Sequence, residues 1–387
     1  MIFLNDFSIL SCLGATDLES IETLKNNKSK YLKETSGYLI NNESAFLGKL
    51  PFVTDTQEQE TCRNILLLDQ CLQKLDPLIE RIISKFGKNR VGTIIGTSTS
   101  AISDVENFAE NHYQQNIKLP YDKRVYEVGC LSKYIKNRYQ LSAPCYTIAT
   151  SCSSSGRALI SASQLLESDL CDAVIVGGTD SLSKITVNGF NTLGALSKEQ
   201  CQPFNKNRQG INIGEGTGLT IATKEPVSDN SIKLISYGAT SDAYHISAPE
   251  PTGSMAIKTM EQALRMAHLT PHDIGYVNLH GTGTKLNDSM EGCAIEKLFG
   301  KSVPVSSTKH LTGHTLGAAS IVEAYICNLI LQHNLELPYH NYDETEYVEE
   351  FGGINLITKN NQKLNKKIIM SNSFAFGGNN VSLIFGQ

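Results

Sequence analysis

Short apolar, β-branched runs alternate with helical periodicity along most of the chain, and this alternation restricts the fold more than any other feature. Strand-like runs fall at Val91–Ile95, Tyr146–Thr150, Ala173–Val176, Leu219–Thr223, Ile232–Tyr237, Ile274–His280, Val303–Ser306 and Val381–Phe385. Helical patterns fall at Asp104–His112, Gly156–Leu166, Met255–Met266, Met290–Leu298 and Leu316–Gln332. A chain that switches between these two periods layers helices over mixed or parallel sheets, an α/β architecture. Its 387 residues suffice for two half-domains or one large unit. The charged, turn-rich "KEPVSDNS" at Lys224–Ser231 separates stretches that each begin afresh with a strand. It divides the chain into halves 1–230 and 231–387.

Composition removes several classes of function. The formal net charge is −5 with no long basic run, which argues against nucleic acid as a partner. Ten cysteines lie scattered without C-x-x-C pairs or Cys/His ligand spacing, so neither a zinc site nor a disulfide framework is expected. Such thiols suit a reducing cytoplasm. The opening "MIFLNDFSIL" carries Asp6 and lacks a basic flank, so it does not read as a signal peptide. The longest apolar stretch, Leu316–Leu331, is broken by Glu323, and no membrane insertion is expected.

Against this background, "TIATSCSSSG" at Thr147–Gly156 places a thiol where an apolar strand gives way to a helix. A nucleophile gains from that position, because free N–H groups and the positive end of a helix favour a thiolate. A free cysteine is also commonly a small buried apolar residue, and the turn alone leaves both readings open. Three further segments combine glycine with reactive or aromatic side chains. They are "NLHGTGTKLNDSMEG" (Asn278–Gly292), "SSTKHLTGHTLGAASIVEA" (Ser306–Ala324) and "SNSFAFGGNN" (Ser371–Asn380), the last reading as two phenylalanines on a glycine loop. Taken singly, His280 and His314 could be core histidines, the GTGT an ordinary turn, and Phe374 and Phe376 core aromatics. Four such coincidences in one chain favour chemistry.

Together with "VGGTDSLS" (Val176–Ser183), "QPFNKNRQGINIGEGTG" (Gln202–Gly218) and "GATSDAYHISAPEP" (Gly238–Pro251), these segments resemble the β-ketoacyl synthases. That family comprises the condensing enzymes of fatty acid and polyketide synthesis. The resemblance runs from about Val91 to the end. Its elongating, carrier-protein-dependent branch uses a Cys, His, His set, here Cys152, His280 and His314. Thiolases use a second cysteine near the C-terminus, whereas the last here is Cys327, and the initiating synthases use Cys, His, Asn. A non-catalytic chain-length-factor subunit would lack the nucleophile. The opening "NDFSILSCLG" is similar to ketosynthases of aryl-polyene clusters.

The resemblance implies a thiolase-type fold, two similar halves with mixed sheets in layers α-β-α-β-α. The first half would carry the nucleophile, and the second the histidines, the lysine and the phenylalanines. Cys152 would hold an acyl thioester, and the backbone N–H groups of Cys152 and Phe376 would form an oxyanion hole. Its thiolate would come from the helix end. His280 and His314 would stabilise an enolate, with Lys309 and Glu323 as a buried support. Thr282 and Thr284 would bind the pantetheine arm, and Phe374 and Phe376 would gate the acyl pocket. No cofactor or metal is expected, because the substrates arrive on the phosphopantetheine of acyl-carrier protein.

An acidic carrier protein would need a local basic patch, for which Lys118, Lys123, Arg124, Lys206 and Arg208 are candidates. The apolar strand Cys145–Thr150 would pair across a two-fold axis, giving a homodimer or a heterodimer with a homologous chain-length-factor-like subunit. Ser151, Asn205, Ala375 and Asn379 depart from the family pattern. Asn205 should remove a salt bridge, and Ala375 should stiffen the gate. Asn116–Leu141 matches poorly where chain-length-setting residues are expected.

Overall fold

The computed structural model describes residues 1–40, 43–51, 53, 61–114, 127–359 and 361–387. The strands among them are β1 (Ile2–Leu10), β2 (Leu32–Thr35), β3 (Ala45–Gly48), β4 (Val91–Gly96), β5 (Cys145–Ile148), β6 (Ala173–Asp180) and β7 (Gly216–Thr223). They continue with β8 (Ser231–Ser241), β9 (Tyr276–Asn278), β10 (Pro304–Ser306), β11 (Asn355–Leu356), β12 (Ile368–Ala375) and β13 (Asn379–Gly386). β2 and β3 form a separate two-stranded sheet, and the rest run β11-β10-β9-β12-β13-β8-β1-β7-β6-β4-β5.

One pairing scheme occurs twice. β1 is antiparallel to β7, β7 is antiparallel to β6, and β6, β4 and β5 follow in parallel. β8, β13, β12, β9 and β10 repeat that order with the same polarities. The two copies meet where β1 pairs with β8, from Ile2 opposite Leu234 to Asn5 opposite Ser231.

Helices complete the layers. Arg63–Phe86 covers β1, β6 and β7, and Ser254–Met266 covers β8 and β13. Between the sheets, Ser154–Glu167 packs against Ala319–His333, and both touch strands of the two copies. The result is α-β-α-β-α. Ala319–His333 is buried at every position from Ala319 to Leu331, as a helix apolar on all sides must be.

The 24-residue helix Arg63–Phe86 is absent from the expected elements because Pro77 interrupts its pattern. Its apolar face, Leu67, Leu68, Cys71, Leu72, Leu75, Leu78, Ile79 and Ile82, nevertheless keeps helical spacing and is buried. The expected strand 146–150 ends at Ile148, and beyond it Thr150 makes only a bridge to Cys152. β5 terminates the sheet, and all four of its residues are half-buried. No helix among the described residues is long and apolar enough to cross a membrane.

Candidate active site

The turn at Cys152 is built from the hydroxyls around it. Ser151 has a left-handed backbone, φ 54°, which reverses the chain between β5 and the helix beginning at Ser154. The Ser154 hydroxyl donates to the Ser151 carbonyl at 2.6 Å and accepts from the Thr150 N–H at 2.9 Å. Ser153 Oγ donates to the Thr150 carbonyl at 2.8 Å, and Ser155 Oγ accepts from the Ile321 N–H at 3.1 Å. The serine run therefore clamps the turn and ties it to the central helix Ala319–His333. Gly156 is required by proximity, since a Cβ there would lie 2.9 Å from Ser320 Oγ.

Cys152 is 6% exposed at the base of a cavity of about 910 Å³. His314 Nε2 lies 3.0 Å from its sulfur, and the His280 and His314 rings meet edge to face at 5.3 Å. One ligand-type atom from each of the three side chains falls within 4.8 Å of the others. Both halves of the chain thus meet at one point. The Leu316 N–H points at His314 Nδ1 at 3.3 Å, which makes Nδ1 the acceptor and places the ring proton on Nε2, facing the cavity.

Behind the rings, Lys309 is buried, donates to the His280 carbonyl at 2.5 Å and forms an ion pair with Glu323. Glu323 Oε2 has no partner among the described residues. Burial pushes the pKa values of His280 and His314 well below the ordinary imidazole value, and the Lys309 charge adds to the effect. Both rings are neutral at neutral pH.

Burial also pushes the Cys152 thiol up to about 12, against the opposing pull of Lys309 and of the Phe376 and Cys152 N–H groups. Desolvation thus outweighs the favourable groups, so the thiolate expected from the helix end is a minor fraction at rest. The two N–H groups nonetheless converge on the sulfur.

Thr282 and Thr284 line the cavity with their hydroxyls 2.9 Å apart. Phe374 lies within β12, is buried, and faces His280 at 6.5 Å, so it forms a wall rather than part of a glycine loop. Phe376 stands on the turn beyond, before the positive-φ Gly377 and Gly378, and packs on Phe190 at 5.5 Å. Lys206 and Lys285 are exposed and line the cavity.

Arg208 is buried against Glu350 (2.7 Å) and Asp288 (3.7 Å), so it is not part of an exposed basic patch. Lys118, Lys123 and Arg124 lie outside the described residues, as does the stretch 116–126 of the poorly matching segment 116–141. Asn205 is buried and donates to Glu346 at 3.2 Å, so a hydrogen bond holds that turn.

Sequence reasoning overlooked two carboxylates that shape the HGTGT loop. Glu291 accepts from the His280 and Gly281 N–H groups at 2.8 and 2.7 Å, and Asp288 accepts from Thr282 and Gly283 at 3.1 and 3.2 Å. Their spacing of three residues on one helix face was the available signal. Phe190 carried no motif of its own, and Asp180 lies within "VGGTDSLS", where no role was read for it.

This fold and site define a class. The family models "Beta-ketoacyl synthase, N-terminal domain" and "Beta-ketoacyl synthase, C-terminal domain" match residues 19–225 and 233–343. The chain belongs to the β-ketoacyl synthase family. It is 35% identical over 263 residues to 3-oxoacyl-[acyl-carrier-protein] synthase 2 of Rhizobium meliloti, a stretch covering 64% of this chain and 62% of that relative's length. It is 31% identical over 320 residues to the mitochondrial 3-oxoacyl-[acyl-carrier-protein] synthase of Arabidopsis thaliana, covering 78% and 69%. Among solved structures it is similar to the ketosynthase ApeO, in complex with its chain length factor ApeC, from Xenorhabdus doucetiae. There the TM-score is 0.95 at 40% identity, with coverage of 100% and 97%.

Proposed function

We propose that this chain condenses an acyl group held on Cys152 with malonyl-acyl-carrier protein, giving carbon dioxide and 3-oxoacyl-carrier protein. The observation that carries the reading is the meeting of a buried thiol with two neutral imidazoles within one cavity. In the first step the Cys152 sulfur attacks the acyl thioester, and its proton ends on the departing carrier thiol. The Cys152 and Phe376 N–H groups stabilise the tetrahedral oxyanion.

In the second step malonyl thioester loses carbon dioxide, and the electron pair moves into an enolate. Its oxygen accepts the His314 Nε2–H and a proton-bearing nitrogen of His280. Two charged rings at this separation beside Lys309 would repel each other, and neutral donors avoid that cost. The enolate carbon then attacks the Cys152 thioester, and the released sulfur regains a proton from water, which balances the carboxylate charge lost with carbon dioxide. Thr282 and Thr284 hold the pantetheine arm, and Phe376 on Phe190 guards the acyl end of the cavity.

The carrier protein meets the mouth near Lys206 and Lys285. The exposed edge of β5 pairs with a second subunit, and the likeness to a ketosynthase solved with its chain length factor supports a heterodimer over a homodimer. Fatty acid, polyketide or aryl-polyene extension all fit this chemistry, and ten free thiols suit a cytoplasmic setting.

Intact-protein mass after incubation with acyl-carrier protein tests the reading. One acyl adduct is expected on the wild type, and none on Cys152→Ala. An adduct that survives this substitution would place the nucleophile elsewhere.

A further inference from the structure

Asp180 closes β6 and is fully buried beneath the catalytic cavity. Five donors converge on its carboxylate. They are Thr97 Oγ1 at 2.6 Å, the Ser98 N–H at 2.8 Å, the Thr99 N–H at 2.8 Å, Thr99 Oγ1 at 2.7 Å and the Gly317 N–H at 2.6 Å. These bonds join two segments that are remote in sequence. The Thr97 N–H donates to the Ile148 carbonyl at 3.0 Å, so the 97–99 loop braces the strand end that leads into the nucleophile turn. Gly317 belongs to the turn that follows His314.

That second turn holds strain for a purpose. Leu316 has φ 50°, a left-handed conformation that costs a branched side chain roughly 1 kcal/mol or more. In that conformation its N–H reaches His314 Nδ1. The next N–H, of Gly317, is tied to Asp180, and the fit is tight. A Cβ on Gly317 would lie 2.7 Å from Asp180 Oδ2 and 2.6 Å from the Ser98 nitrogen.

We propose that Asp180, which does not line the cavity, is a positioning residue that holds the strained Leu316–Gly317 turn and thereby fixes the His314 tautomer with its proton on Nε2. It therefore serves the decarboxylating half-reaction rather than acyl transfer. A neutral ring has one N–H, and the partner at Nδ1 decides where it lies. Released from Asp180, the turn can relax, Leu316 N–H leaves Nδ1, and the ring is free to carry its proton on the wrong nitrogen.

The assignment of half-reactions rests on the condensing function, whereas the wiring does not, so two readouts are needed. In protein labelled with ¹⁵N-histidine, His314 (assigned by its absence in His314→Gln) should show an unprotonated Nδ1. Asp180→Asn should shift that signal toward a tautomer mixture. The same variant should lose about thirtyfold or more of malonyl-carrier decarboxylation while Cys152 acylation stays within about threefold. Adding Leu316→Gly, which removes the strain, should recover much of the loss.

A protonated Nδ1 in the wild type overturns the proposal whatever the variants do, and it applies even if Asp180→Asn fails to fold. An unchanged His314 signal in the folded variant also overturns it. So does an equal loss of acylation and decarboxylation. If no protein, wild type included, decarboxylates malonyl-carrier while the tautomer shift appears, the wiring stands and the condensing function fails.

Discussion

At neutral pH Cys152 rests as a thiol and reacts through a small thiolate fraction, because burial dominates its environment and pushes its pKa to about 12. Alkylation at this position, followed by peptide mass, should rise with pH through 7, 8 and 9. A plateau reached by pH 7 would reveal a preformed thiolate and contradict the electrostatics described above. The histidines carry the complementary prediction. His280→Ala or His314→Ala should lower decarboxylation by roughly a hundredfold or more while leaving measurable self-acylation, since each removes one donor from the enolate oxygen. In the wild type the rate should not titrate at pH 6.5, the ordinary imidazole value, because both rings resist protonation to well below it. Variants that condense at the wild-type rate would remove the enolate role. These side chains were legible in the sequence because each lies in a short glycine-marked motif. Asp180, Glu291 and Asp288 were less so, because they act on backbone N–H groups that folding alone brings near.

The elements that carry the site differ in how much they announced themselves. Ser154–Glu167 and Ala319–His333 showed plainly as helices, and their packing on each other brings Cys152 to His314. Arg63–Phe86 was hidden by Pro77, and β12 by lying inside a motif read as a loop, which misplaced Phe374. β5 makes a prediction at this scale. Its outer edge is open among the described residues, and such an edge is stable in solution only when paired or protected. Thr147→Pro removes one strand N–H, and it should shift the protein toward monomer in light scattering with a parallel loss of activity. A variant that stays dimeric would show that assembly does not involve this edge, and a fully active monomer would show that activity does not depend on assembly.

For the whole molecule, the pairing scheme is doubled, and the turn-rich Lys224–Ser231 that composition marks falls where one copy passes to the other. Each half begins with a long strand, β1 or β8, and the joint lies between β7 and β8. The cavity could not be read in the same way, because residues distant in sequence, from Phe190 to Asn380, build its wall. Buried charge chemistry gives a global prediction. His310 lies outside the catalytic cavity, hydrogen-bonded to Asn27, and burial lowers its pKa to about 4. The native state therefore binds fewer protons than the unfolded chain between pH 4 and 6.5, and stability from this group falls as pH drops through that window. His310→Asn should be less stable than wild type at pH 7.5, and the gap should narrow by about 2 kcal/mol at pH 5 in denaturant titrations. A gap that widens would mean that His310 is charged in the fold.

The most direct test of the central claim supplies the protein, alone and together with a chain-length-factor subunit, with acyl- and malonyl-acyl-carrier protein. Mass spectrometry should find a 3-oxoacyl-carrier protein two carbons longer than the acyl donor, with one carbon dioxide released per product. Acylated Cys152 beside untouched malonyl-carrier protein, with no product, would contradict it.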